Sequence, residues 1–211
     1  MTRTVFLLVT CVAGLGALPG CVSTGMARTV DPGKLQVSLS GGLQGNVSYI
    51  PQGELAVRYG VTERVDVGAR LFLPGAEVDA RFALLRAPSL KSGVDVTLAP
   101  SLAYVLPMSS TTPGLVFPSL PLLVGFNLGG SQLVLGPRVG YVIKTGQSLT
   151  SQSFDGNIIV GSSLGLAIPI GQVFRIVPEV SLLHRAGRSL GSGETALHGG
   201  IGLVFGGYAA E

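Results

Sequence analysis

Twelve ionisable residues share one parity of a set of alternating segments. The acids are Glu54, Asp66, Glu77, Asp79, Asp95 and Glu179, the arginines are Arg58, Arg70, Arg81, Arg138 and Arg175, and His198 falls in the same phase. Six carboxylates against five guanidiniums is close to neutral, and the planar fork of arginine suits paired hydrogen bonds to a carboxylate. Two chemistries follow. If that face is enclosed, its charges must pair, because an unpaired buried ion is costly, and the network then fills and seals an interior. If a passage remains, the same charges form a constriction that selects solutes. Sealing is the preferred reading and a solute-selective channel is the alternative.

A second group, His184, Ser189, Ser192 and Glu194, lies in one glycine- and serine-containing stretch. Base, nucleophile and orienting acid in contact could support acyl transfer. Serine and glycine are also ordinary loop residues, and the neighbouring Arg185 and Arg188 suit contact with anionic lipopolysaccharide. No catalysis is therefore expected. His184 and His198 are the only histidines, so no metal-binding set is expected. Gly129-Gly130 lacks a following Lys-Ser/Thr and reads as a turn instead of a phosphate loop. A net charge of +3 is too small and dispersed to suggest nucleic acid. No cofactor is implied.

The elements that carry these residues are strands. The 211 residues are 46% hydrophobic and only 12% charged, with 32 glycines and a mean hydropathy of +0.55. A water-soluble domain carries about 25% charged residues. Beyond the N-terminus no apolar run is long enough for a membrane helix. High hydropathy without long apolar runs points to a transmembrane β-barrel, in which apolar and polar residues interleave. Period-2 alternation predicts ten strands: Lys34–Gly42, Glu54–Val61, Val65–Leu73, Glu77–Leu85, Val94–Tyr104, Phe117–Asn127, Gln132–Ile143, Asn157–Ile168, Val173–Leu183 and Thr195–Phe205. The fold class expected is all-β, an antiparallel up-and-down barrel spanning residues 34–208.

The side chains decide which face points inward. The polar parity is mostly Gly, Ala, Ser and Thr with a lone charge, and lysine occurs only at Lys34, Lys91 and Lys144. No water-exposed surface is normally that small and sparsely charged, whereas a narrow lumen requires small residues. The aliphatic parity carries Tyr59, Tyr104, Phe126, Tyr141, Phe174 and Phe205 near strand ends, where aromatic girdles belong. Three strands share a mid-strand proline, Pro100, Pro137 and Pro178, at spacings of 37 and 41. Proline removes a ladder hydrogen bond, so a bulge or bend is expected at each.

Residues 1–20 read as a signal peptide, with Arg3 before an apolar stretch, Val5 to Leu18. The following Leu18-Pro19-Gly20-Cys21 resembles a bacterial lipobox, although Pro19 departs from the usual small residue. That resemblance implies a diacylglycerol- and palmitate-type lipid on Cys21. Residues 21–33 are then expected to be a flexible tether between lipid and barrel. Cys11 would leave with the signal, so no disulfide is expected.

From residue 105 onward long and short connections alternate, as in barrels with short periplasmic turns and long outer loops. A periplasmic N-terminus puts Thr62–Arg64 on the periplasmic side. The Arg58–Gly68 hairpin, RYGVTERVDVG, the mid-strand prolines and an aromatic near the C-terminus (Phe205 or Tyr208) resemble small bacterial outer-membrane β-barrel proteins. The resemblance implies an outer-membrane location and a structural or narrow, porin-like pore. The partners it implies are outer-membrane lipid, lipopolysaccharide and the barrel-assembly machinery.

Overall fold

The structure, a computed structural model, describes residues 25–45, 49–107, 113–145, 158–171, 174–186 and 195–208. Its strands are β1 (Leu35–Gly45), β2 (Tyr49–Thr62), β3 (Val65–Phe72), β4 (Gly75–Leu85), β5 (Ser92–Leu98), β6 (Ser101–Val105), β7 (Leu115–Leu128), β8 (Ser131–Leu135), β9 (Arg138–Tyr141), β10 (Ile143–Lys144), β11 (Ile158–Ile170), β12 (Phe174–Arg185) and β13 (Thr195–Gly206). All pair antiparallel. The first strand pairs with the last, β1 with β13, and β7 joins β5–β6 on one side to β8–β9 on the other, so the sheet closes. Counting β5–β6 and β8–β10 as single interrupted strands gives ten staves among the described residues. Closure pairs every edge, which a strand in hydrocarbon requires because no water is present to satisfy its amides.

The pleat sends the aliphatic parity outward on every stave. Leu39, Val57, Leu71, Val78, Leu102, Leu120, Val139, Val160, Val180 and Ile201 are all exposed. Leu71, at 62% exposure, lies opposite Leu55, at 45%, on the neighbouring strand. A continuous apolar band on an outer wall is far larger than the patches water-exposed surfaces tolerate. Tyr59, Phe82, Phe126, Phe174 and Phe205 lie towards the end of the barrel that holds both described termini, and Phe174 stacks on Phe205 at 5.0 Å. Tyr104 and Tyr141 lie towards the other end.

Three sequence expectations are corrected by tertiary pairing. Leu43–Gly53, read as a connection, is largely strand: Leu43, Gln44 and Gly45 pair with Pro51, Ile50 and Tyr49. The ladder continues through residues whose side-chain pattern carries no strand signal, because it needs only the backbone. Of the three prolines, Pro100 and Pro137 interrupt their strands while Pro178 sits inside β12. No residue is inserted at the two interruptions. Phe82↔Leu98 and Asp79↔Ser101 keep one register, as do Val124↔Leu135 and Pro121↔Arg138. Neither interruption is therefore a bulge. The proline carbonyls remain in the ladder, Pro100 accepting from Ala80 N–H at 3.1 Å and Pro137 from Leu122 N–H at 2.8 Å. Bulges lie instead at Gly60/Thr62 and Ala83/Leu85, near the ends of their strands.

The third correction concerns the tether. Residues 25–30 are not a free linker: Met26, Ala27, Thr29 and Val30 are fully buried and Arg28 is nearly so, all inside the barrel. Residues 21–24 lie outside the described residues.

A closed barrel held by a complete ladder should resist SDS without heating. The refolded chain is expected to migrate faster unheated than boiled on an SDS gel, and equal migration would count against the fold.

Candidate functional site: a plugged lumen

The lumen is built in layers along the barrel axis, and Gly25 to Asp31 occupy the layer at the terminal end. Six wall residues hold this segment by hydrogen bonds with little sequence locality. Ala27 N–H donates to Gln132 Oε1 at 2.8 Å and its carbonyl accepts from Thr97 Oγ1 at 2.6 Å. Arg81 Nη1 donates to the Met26 carbonyl at 2.7 Å, and Val30 N–H donates to Asp66 Oδ2 at 2.8 Å. Arg28 donates to the Ala87 carbonyl at 3.0 Å, and Tyr208 OH donates to the Arg28 carbonyl at 3.1 Å. Desolvation raises the Tyr208 phenol above its ordinary range, which keeps it a donor. At the rim Arg86 pairs with Asp31, and Asp31 N–H donates to the Gly207 carbonyl at 2.9 Å.

Apolar packing completes the plug. Met26 sits among Leu90, Ala167, Val177 and Val204, with Tyr208 against them. Ala27 packs on Ala99, Leu123 and Val134. Two glycines make room. A Cβ at Gly125 would lie 2.8 Å from Ala27 Cβ, and one at Gly60 would lie 2.1 Å from the Asp31 carbonyl oxygen.

The next layer is charged. Arg58, Gly68 and Asp79 stand in one row across β2, β3 and β4. Arg58 crosses over Gly68 to reach Asp79, with Nη2 2.7 Å from Asp79 Oδ1, and its other nitrogen pairs with Asp66. A side chain at Gly68 would meet both partners, 2.6 Å from Asp79 Oδ1 and 2.7 Å from Arg58 Nη2. One row further in, Arg70 lies 3.1 Å from Glu54 and 3.9 Å from Glu77. Arg138 lines a cavity with Arg70, Glu77, Asp79 and Arg81. Glu179 on β12 and His198 on β13 are also buried. This cavity and a second one beside Arg58 and Gln36 are each about 20 Å³, room for roughly one water.

Asp95 departs from the expected arginine pairing. It is fully buried, and neutral donors satisfy it: Ala87 N–H at 2.8 Å, Asn127 Nδ2 at 2.7 Å and Gln132 Nε2 at 2.8 Å. Sequence reasoning missed Thr97, Asn127 and Gln132 as parts of the site, although their inward parity was legible. Arg175 donates to the Gly130 carbonyl at 2.8 Å and lies over the Tyr208 ring at 5.4 Å, which places it at the rim. With Arg28 from the plug, six arginines (Arg28, Arg58, Arg70, Arg81, Arg138 and Arg175) stand against the six acids.

At the far end the lumen is apolar. Phe117, Ile159, Leu183, Ala103 and Ala196 form a buried cluster, with Phe72 and Val142 packed on it. These are inward residues, where the sequence reading foresaw mostly small ones. Of the loop group, His184 Nδ1 lies 2.9 Å from Thr195 Oγ1, while Ser189, Ser192 and Glu194 lie outside the described residues, as do Arg188 and Cys21.

Removing the shared cation should be the most damaging change in the charged layer. Arg58→Met leaves two buried carboxylates without their partner, and a loss of about 3–5 kcal/mol in urea unfolding is expected. Gly68→Val should also destabilise by driving the pair apart. Arg64→Ala, on the exposed turn, should stay within about 0.5 kcal/mol.

No protein-family model matches the chain, and no curated protein matches it. Among solved structures it is similar to the outer-membrane protein OprG of Pseudomonas aeruginosa, at 12% identity and a TM-score of 0.38, covering 88% of this chain and 100% of that one. It is similar to the N-terminal β-barrel domain of Pseudomonas aeruginosa OprF at 8% identity and a TM-score of 0.38, over 83% and 98% of the two chains. A bacterial polysaccharide outer-membrane secretin matches at 10% identity and a TM-score of 0.44, over 84% and 99%. The strand pairing itself makes this chain a closed antiparallel ten-stave β-barrel.

Proposed function

We propose that this chain is an outer-membrane β-barrel with a structural role, sealed by its own N-terminal segment and by paired lumen charges. The observation that carries the reading is the seating of Gly25 to Asp31 in the terminal mouth, with Met26, Ala27, Thr29 and Val30 fully buried. Three blocks in series support it: the plug, the Arg58 and Arg70 ion pairs, and the Phe117–Leu183 apolar layer. The aliphatic outer wall and its aromatic fringe support a membrane location. The lipobox at Cys21 supports a lipid-anchored form. The role is non-catalytic, with outer-membrane lipid and lipopolysaccharide as the surrounding partners.

The second reading, a solute-selective channel, is favoured by the non-covalent hold on the plug. It is the same barrel with the segment withdrawn, and Arg138 and Arg175 would then face the passage.

Planar-bilayer conductance separates the two. The unacylated mature chain is expected to give no discrete steps, and regular steps from it would overturn sealing. Deleting residues 22–30 should raise leak at most, because the ion-pair and apolar layers remain in series; discrete steps from the deletion would favour the channel, and Arg138→Ala should then change their ion selectivity. A distant third possibility, a lipid-directed hydrolase, requires that His184→Ala alter the lipid A profile; no alteration is expected.

A further inference from the structure

The wall of the mouth holds the plug chiefly through its backbone. Among the described residues, Arg81 donates to the Met26 carbonyl, Thr97 to the Ala27 carbonyl and Tyr208 to the Arg28 carbonyl. The N–H groups of Ala27, Val30 and Asp31 donate to Gln132, Asp66 and the Gly207 carbonyl. These wall groups come from β3, β4, β5, β8 and the residues after β13, so they surround the segment. Every peptide carries the same carbonyls and N–H groups. Main-chain contacts of this kind supply affinity, and side-chain pockets supply specificity.

Two adjoining pockets are present. Met26 fills one lined by Leu90, Ala167, Val177 and Val204, a fit for a large, flexible apolar residue. The next position admits only a small one. Ala27 is fully buried against Ala99, Leu123 and Val134, and the space beside Gly125 is already shared between Ala27 and Gln132.

The plug is attached in a way that lets it leave. Asp31 to Lys34 turn at the rim, with Lys34 N–H donating to the Asp31 carbonyl at 3.0 Å and Gly33 left-handed at a φ of +72°. The first strand, β1, begins only at Leu35, and its pairing with β2 and β13 uses no plug residue. Withdrawal about this turn breaks plug contacts and leaves the ladder whole.

We propose that the terminal mouth is a peptide-binding site, self-occupied by Gly25–Asp31. Its ligand in trans is an unfolded polypeptide segment that carries a large apolar residue followed by a small one. The proposal rests on the seating of the plug and not on sealing of the lumen beyond it. In the intact chain the tethered plug competes at the roughly millimolar effective concentration of a short linker, which closes the site to outside peptides.

The probe is a synthetic peptide of residues 25–31 with a fluorophore after Asp31, the end that lies at the rim. Fluorescence anisotropy reads its binding to the refolded chain and to two variants, Ala27→Trp and Ala27→Glu, whose own plugs no longer fit the second pocket. Heat-modifiable migration verifies each barrel. At least one variant should bind the peptide saturably and about tenfold or more tighter than the intact chain. Thr97→Val in that variant should weaken binding about fivefold, the worth of one hydrogen bond to the plug backbone. A peptide carrying Ala27→Trp should not bind. The proposal is overturned if neither variant binds saturably, if the intact chain binds as tightly, if the Ala27→Trp peptide binds equally, or if Thr97→Val has no effect. Failure of the sealed reading shows differently, as conductance steps from the intact chain while the peptide result stands.

Discussion

Arg58 holds two carboxylates at once, and the order of the lumen follows from it. In an enclosed space with little water, the neighbouring carboxylates of Asp66 and Asp79 need a cation between them, because leaving a buried charge unpaired is costly. The guanidinium fork allows one residue to serve both, a role the single ammonium of lysine performs poorly. The geometry works because Gly68 stands between Arg58 and Asp79 in the same row and leaves the crossing open. Arg58 occupies Oδ1 of Asp66, and Oδ2 is left to accept Val30 N–H. The ion pair and the plug are thus joined through one carboxylate.

The same alternation of large and absent side chains recurs around the barrel. Asp95 stands beside Gly125 on the next strand, and Glu179 stands between Gly165 and Gly200. At these heights a glycine on the neighbouring strand relieves the crowding of a narrow barrel, whereas Arg70 and Glu77, of opposite charge, stand directly opposite each other. The plug uses such space as well: a Cβ at Gly125 would meet Ala27 in addition to the wall residue Gln132. The high glycine content and the buried charges are two aspects of one packing constraint.

The fold was legible because its signal is local. Alternation places each residue of β3 or β4 inside or outside without reference to any other strand, and ten such segments forced a closed antiparallel barrel. Strand ends were less legible: the β1–β2 ladder continues through Leu43–Gly45 and Tyr49–Pro51, where hydrogen bonding to a neighbour needs no side-chain pattern. Partner choice within the lumen was not legible at all. Parity puts Asp95 inside, but only its height and neighbours give it Asn127 and Gln132 in place of an arginine.

The plug shows the division most plainly. Residues 25–31 have no period, two glycine- or proline-flanked ends and few apolar side chains, which is how a linker reads. Their stability comes from partners 34 to 180 residues away, Glu63 and Tyr208 among them, which are brought together only when the barrel closes. The sequence by itself therefore determined the barrel, its inside and its outside, because each is written in the two-residue repeat of a pleated strand. Whether that barrel is empty or filled was decided by tertiary structure alone, because a lumen exists only after the last strand has paired with the first.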